Sequence, residues 1–178
     1  AMRILLIGGG KSGKSTMAQR LAAALSGDAP RYYWATMTPH DDEDLARIRR
    51  HVADRAGMDF ITVERSFDLP AALPALDRHG TVLFVTACLS EQMFPGPAPD
   101  AGAANRVLRE LLDISRYLDH FIAVCDDIWH GGEDYRDWTE VYVRGLADIC
   151  QGLAAEFDVV CEMTAGLPHL WKGELPRV

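Results

Sequence analysis

Between Ile4 and Thr16 the chain reads Ile-Leu-Leu-Ile-Gly-Gly-Gly-Lys-Ser-Gly-Lys-Ser-Thr, so that Gly8 is followed by four residues and then by Gly13-Lys14-Ser15. Residue types in this pattern suit one task, the holding of a polyphosphate. Glycines let backbone N–H groups converge on a phosphate, and a helix starting just after them offers the same anion its positive end. Lys14 is expected to reach the β- and γ-phosphates, and the Ser15 hydroxyl to take a Mg²⁺ position. Gly8, Gly9, Gly10, Lys11, Ser12, Gly13, Lys14, Ser15 and Thr16 are thus the expected ATP contact. The plainer alternative is a glycine-rich turn that binds nothing. The apolar run before the motif and the Ala/Leu-rich run after it supply the strand and helix that a P-loop requires, and this context favours the phosphate reading.

Two further clusters carry chemistry. Arg47, Arg50, His51 and Arg55 lie on or near one flank of a helix, since residues three or four apart are neighbours there, as either a basic site or an ordinary solvated face. Asp126 and Asp127 follow the apolar run His120–Cys125, at the end of a strand where parallel α/β sheets place their ligands. They are the best-placed acids for a divalent ion, with at least one expected in a metal or substrate role. Capping of the turn before Trp129-His130-Gly131-Gly132 is the bland alternative. A P-loop protein usually ends another strand in a carboxylate that holds Mg²⁺ through water, yet Thr81–Val85 leads into Thr86-Ala87-Cys88. That acid is missing.

The elements that must position these groups alternate. Strands are expected at Arg3–Ile7, Tyr32–Thr36, Phe60–Glu64, Thr81–Val85, His120–Cys125 and Asp158–Met163. Helices are expected from Ser15 to Leu25 with Gly27 as C-cap, around Leu45, Ile48 and Val52, briefly over Leu69–Leu76, from Ala103 to Leu118, and from Trp138 to Phe157. Leu108, Leu111, Leu112 and Ser115 are expected to face inward, as are Leu146, Ile149, Cys150 and Leu153. A polar turn around Pro39 and His40 precedes the second helix. Phe94–Pro99 is a proline-rich surface loop, and the residues after Gly166-Leu167-Pro168 read as a short tail. There is no internal repeat. The alternation implies an α/β fold of three layers, a mostly parallel sheet with helices on both faces, as in P-loop NTPases.

At 178 residues and 48% hydrophobic content, the chain is expected to form one domain over 1–178. A net charge of -8 argues against nucleic acid and anionic membrane as partners, since both need a broad basic surface. Cys88, Cys125, Cys150 and Cys161 form no CxxC pair and sit mostly in apolar runs, which suits buried reduced thiols and a cytoplasmic location. No run reaches transmembrane length, and no secretory signal layout is expected at the start.

With these pieces in order, nearly the whole chain resembles the adenosylcobinamide kinase/adenosylcobinamide-phosphate guanylyltransferase family of cobalamin nucleotide-loop assembly. The likeness rests on Gly8 through Ser15, Tyr33-Trp34-Ala35-Thr36, Asp41-Asp42-Glu43 followed by Arg47-Ile48 and His51, Thr62-Val63-Glu64, and Gly166-Leu167-Pro168 with Lys172. It implies that His51 accepts GMP from GTP, with Arg47, Arg50 and Arg55 available to offset phosphate charge, and it implies a homo-oligomer, possibly a trimer. The departures concern the acceptor end. Ala87 replaces the expected acid, Asp126-Asp127-Ile128-Trp129 replaces Asn-Glu-Val-Gly, and Val143-Arg144 and Cys150-Gln151 replace Arg-Asp and Asn-Gln.

A related branch resembles an L-threonine kinase of the same pathway. Asp126, Asp127, Glu133 and Asp134 supply acids for a small zwitterionic alcohol, and Arg144 or Arg136 supplies a carboxylate clamp. The leading expectation is therefore an ATP- and Mg²⁺-dependent kinase acting on a small-molecule alcohol, L-threonine before adenosylcobinamide, with Lys14, Asp126 and Asp127 catalytic and Ser15 and Asp126 at the metal. The bifunctional enzyme, with His51 as guanylyl acceptor, and a nucleotide-binding module without turnover are the alternatives.

Overall fold

The computed structural model describes residues 1–36, 41–126 and 137–178, the side chains of residues 44 and 137–139 excepted. Asp127, Trp129, His130, Glu133, Asp134 and Arg136 lie outside the described residues, as do Pro39 and His40. The sheet has seven strands in the order β3-β2-β4-β5-β1-β6-β7. They are β1 (Met2–Gly8), β2 (Arg31–Ala35), β3 (Phe60–Glu64), β4 (Thr81–Val85), β5 (His120–Asp126), β6 (Val159–Thr164) and β7 (Leu167–Lys172). All neighbouring pairs run parallel except β6 and β7. The helices are α1 (Lys14–Ser26), α2 (Asp42–Arg55), the short α3 (Leu89–Met93), α4 (Ala103–Tyr117) and α5 (Asp137–Glu156), with a 3-10 helix over Leu69–Ala75.

The expected three layers follow from residue alternation on the central strands. On β1, Leu5 packs with α4, α5 and α3 in one core, and Ile4 and Leu6 pack with Ala18, Leu21 and Ala22 of α1 in the other. A strand covered on both faces needs apolar residues at successive positions, which is why these runs are continuous and not alternating. The first core is threaded by an aromatic chain: Trp34 meets Phe84 edge-on at 5.2 Å, Phe84 meets Phe121 at 6.0 Å, and Phe121 meets Phe157 at 6.0 Å. On α4 and α5, Leu111, Ser115, Leu146, Ile149, Cys150 and Leu153 are buried as their period requires, while Leu108 and Leu112 are partly buried. A side chain at Gly152 of α5 would meet the head of Leu108 from 2.4 Å, so the missing side chain lets α4 lie close against α5.

Of the apolar residues whose spacing marks α2, Leu45 and Val52 are exposed and Ile48 is half-buried. One sequence expectation is corrected. The stretch after Gly166 is not a tail but β7, an antiparallel edge strand paired with β6 through a turn at Ala165 and Gly166. Both turn residues have positive φ, 51° and 78°, the backbone a tight hairpin demands. Alternation was invisible there because every residue of β7 is exposed. Cys88 leads into the short α3.

Candidate active site

The loop between β1 and α1 has the curled backbone that aims amides inward: Lys11 has φ 59° and Gly13 has φ 90°. Alternation of right- and left-handed residues makes a concave nest of N–H groups. Packing explains two of its glycines. A side chain at Gly8 would collide with Ser12 Oγ at 2.4 Å, and one at Gly13 would press on the Cα of Gly166 at 3.0 Å. Gly9 and Gly10 meet nothing; they keep the mouth of the loop clear. The hairpin turn between β6 and β7 braces the loop from outside, since the Gly166 N–H donates to Ser12 O at 2.8 Å.

The first turn of α1 is prepared for an anion. Its N-cap is Gly13, no side chain caps it, and its first turn holds no acidic residue, so among the described residues its first N–H groups have no side-chain acceptor at that end. Lys14, almost wholly buried, donates from Nζ to Gly9 O at 3.0 Å and pairs with Asp126 Oδ1 at 2.9 Å. Parallel register sets this pair: Gly8 at the end of β1 lies directly across from Asp126 at the end of β5. A buried ammonium needs a counter-charge, and Asp126, itself mostly exposed, provides one at the place where phosphate oxygens would compete for it.

The strand-end position usually held by a metal-binding acid is filled by other bonds. Thr36 Oγ1 donates to Val85 O and accepts from the Ala87 N–H at 2.9 Å, tying the ends of β2 and β4 together. Beside it, burial pushes the Cys88 thiol up to about 12. All four cysteines are buried, and none is in a disulfide. Among the described residues no three His, Cys, Asp or Glu side chains gather into a metal cage. One carboxylate, one hydroxyl at Ser15 and the phosphates of a nucleotide are nonetheless a donor set that suits Mg²⁺, so the residues present fit that ion.

Sequence reasoning missed Tyr142. It lies on α5 near Asp126, and burial, then the Asp126 charge, push its phenol up to about 12. Arg144 is exposed on the same helix. His51 stands on α2, which crosses from β2 to β3, and β4 and β5 separate β2 from β1. At about 4.8 Å per strand the axes of β1 and β2 are roughly 14 Å apart.

A family model described as "Cobinamide kinase / cobinamide phosphate guanyltransferase" matches residues 4–170. The chain belongs to this family. A curated relative, the bifunctional adenosylcobalamin biosynthesis protein CobP of Pseudomonas aeruginosa PAO1, is 31% identical over 97% of this chain and 99% of its own. Among solved structures, the Pyrococcus horikoshii OT3 protein PH0250 is similar with a TM-score of 0.56 at 9% identity, covering 97% of this chain and 86% of its own. The KaiC-like protein PH0186 of the same archaeon gives 0.51 at 12% identity, covering 90% and 70%. These two show the fold alone. In family terms, the P-loop, the Tyr33–Thr36 strand end, the His51 helix and the Gly166 turn lie in the span that the family model covers.

Proposed function

We propose that this member of the cobinamide kinase/guanyltransferase family is a nucleoside-triphosphate-dependent phosphotransferase of cobalamin assembly with both activities of the bifunctional enzyme. The carrying observation is Lys14, buried between Gly9 O and Asp126 at the mouth of an uncapped helix, in a chain alike over its full length to a bifunctional relative. In the kinase step the acceptor hydroxyl oxygen bonds to the γ-phosphorus of ATP, the bond to the β-phosphate oxygen breaks, and ADP leaves. The proton passes to a carboxylate of the Asp126-Asp127 pair. Loop amides and Lys14 hold the charge that spreads over the transferred group. Ser15 and Asp126 would hold Mg²⁺, which supplies further neutralisation of the phosphate oxygens. In the guanylyl step an imidazole nitrogen of His51 bonds to the α-phosphorus of GTP and pyrophosphate leaves.

L-Threonine, foremost on the sequence departures, now ranks behind adenosylcobinamide as acceptor, because the family description and the relative's name both favour the bifunctional reading. What still favours threonine is the change at Ala87 and Asp126-Asp127. ATP consumption with each acceptor alone, and incubation with labelled GTP, separate the readings. Consumption with adenosylcobinamide and an acid-labile adduct absent from His51→Ala are expected. Consumption with L-threonine only would overturn the bifunctional reading, and bound ATP with no transfer would favour a binding module. We further read the protein as a cytoplasmic homo-oligomer: buried cysteines without a disulfide suit a reducing compartment, and the family resemblance implies the oligomer.

A further inference from the structure

Among the described side chains of α2, only Ile48, His51 and Arg55 are half-buried; the rest are exposed. They stand three and four residues apart, on one face. What holds that face to the sheet is not an apolar seam. The Arg55 guanidinium lies 3.5 Å from the centre of the Tyr33 ring on β2, and the Tyr33 ring itself rests edge-on against Phe60 of β3 at 6.2 Å. Tyr33 is buried, and burial pushes its phenol above the ordinary range, so the ring stays neutral and its face electron-rich. Among the described residues no carboxylate forms an ion pair with Arg55.

We propose that Tyr33 is a positioning residue for His51, acting through Arg55: the ring seats the guanidinium, and that seat fixes the Ile48–His51–Arg55 face of α2 against β2. The inference rests on the guanylyl-accepting reading of His51 and deepens it. A nucleophilic imidazole must offer a lone pair, and one turn away from the seated Arg55 the His51 ring is held neutral. Burial lowers its affinity for a proton first, Arg55 next, and Arg47 and Arg50 less, against the opposing Asp54. All four charges are on α2, and the β2 side chain under Arg55 is the uncharged Tyr33. The Nδ1 of His51 is buried without a hydrogen-bond partner, so helix docking and not a hydrogen bond to that nitrogen sets the ring's orientation.

The test follows diethyl pyrocarbonate modification of His51 by peptide mass spectrometry at pH 8, where the imidazole is neutral in every variant, alongside guanylylation by labelled GTP and ATP-dependent phosphoryl transfer. Tyr33→Leu and Arg55→Gln are expected to speed modification and slow guanylylation by roughly fivefold each, the worth of one partly desolvated cation–π contact. Tyr33→Phe, which keeps the ring face, should match the wild type, the double variant should be no worse than either single one, and phosphoryl transfer should hold in Tyr33→Leu. Arg55→Gln leaves the core untouched and covers a Tyr33→Leu chain that fails to fold. Equal modification rates in wild type and Arg55→Gln, or a Tyr33→Phe that behaves like Arg55→Gln, would overturn the proposal. A wild type that forms no adduct while Arg55 still protects His51 would instead overturn the guanylyl reading alone.

Discussion

Lys14 and Asp126 show how two residues distant in sequence become one device. The lysine is at the start of α1 and the acid at the end of β5, and only the parallel pairing of β1 with β5 sets them 2.9 Å apart. Lys14→Met should lower phosphoryl transfer by about a hundredfold or more, the usual cost of deleting a preorganised donor at developing charge, while the protein remains folded, because the methionine stem fills the same space. Steady-state ATP consumption and a thermal melt read the two effects separately. Asp126→Ala is expected to abolish turnover while leaving Lys14 buried without its partner; full activity in this variant would remove Asp126 from the proposed mechanism. The motif itself was legible in the sequence because its requirements are local. Tyr142 was not, since nearness to Asp126 depends on how α5 lies over the sheet.

At the scale of elements, the P-loop is a clamp between a strand, a helix and a hairpin. Gly13 sits at φ 90° with the Gly166 backbone 3.0 Å from where a Cβ would be. Gly13→Ala must therefore strain its own dihedral and push the β6–β7 turn away, costing about 1–2 kcal/mol from the dihedral alone. Nucleotide affinity measured by calorimetry should fall more than stability does, because the displaced loop is the proposed phosphate cradle. The hairpin went unread for a physical reason. Period-two alternation arises when one face of a strand is buried, and β7 buries neither. Its Lys172 also escaped a role: Nζ reaches Ala154 O at 3.1 Å and Ala155 O at 3.2 Å, satisfying carbonyls of the last turn of α5 as C-terminal lysines do.

Across the whole molecule, stability rests on the two cores that sandwich the sheet. Phe84 is wholly buried at the centre of the aromatic chain. Phe84→Ala should cost roughly 3–5 kcal/mol, lowering Tm by about 10 °C in a chain of this size, as a melt would record. Two histidines add a pH dependence. His51 and His120 are both held below the ordinary 6.5, chiefly by burial, and the His120 Nδ1 accepts a hydrogen bond from the Met2 N–H, a bond that protonation removes. A base whose folded affinity for protons is depressed leaves the unfolded chain with more bound protons below 6.5, so stability declines as the pH falls through that value toward the folded ones. Tm followed from pH 8 to pH 5 should decline in that window, and less so in His120→Gln.

By itself the sequence determined the phosphate loop, the α/β alternation, the inward faces of α4 and α5 and the family, since each depends on neighbours along the chain or on a period of two or 3.6 residues. Only the tertiary structure decided that Asp126 meets Lys14, that the Gly166 turn braces the loop, that α2 turns Leu45 and Val52 outward, and that Arg55 lies over the Tyr33 ring. These are relations between segments far apart in sequence, fixed by strand order and register, and no local pattern of residues carries that information.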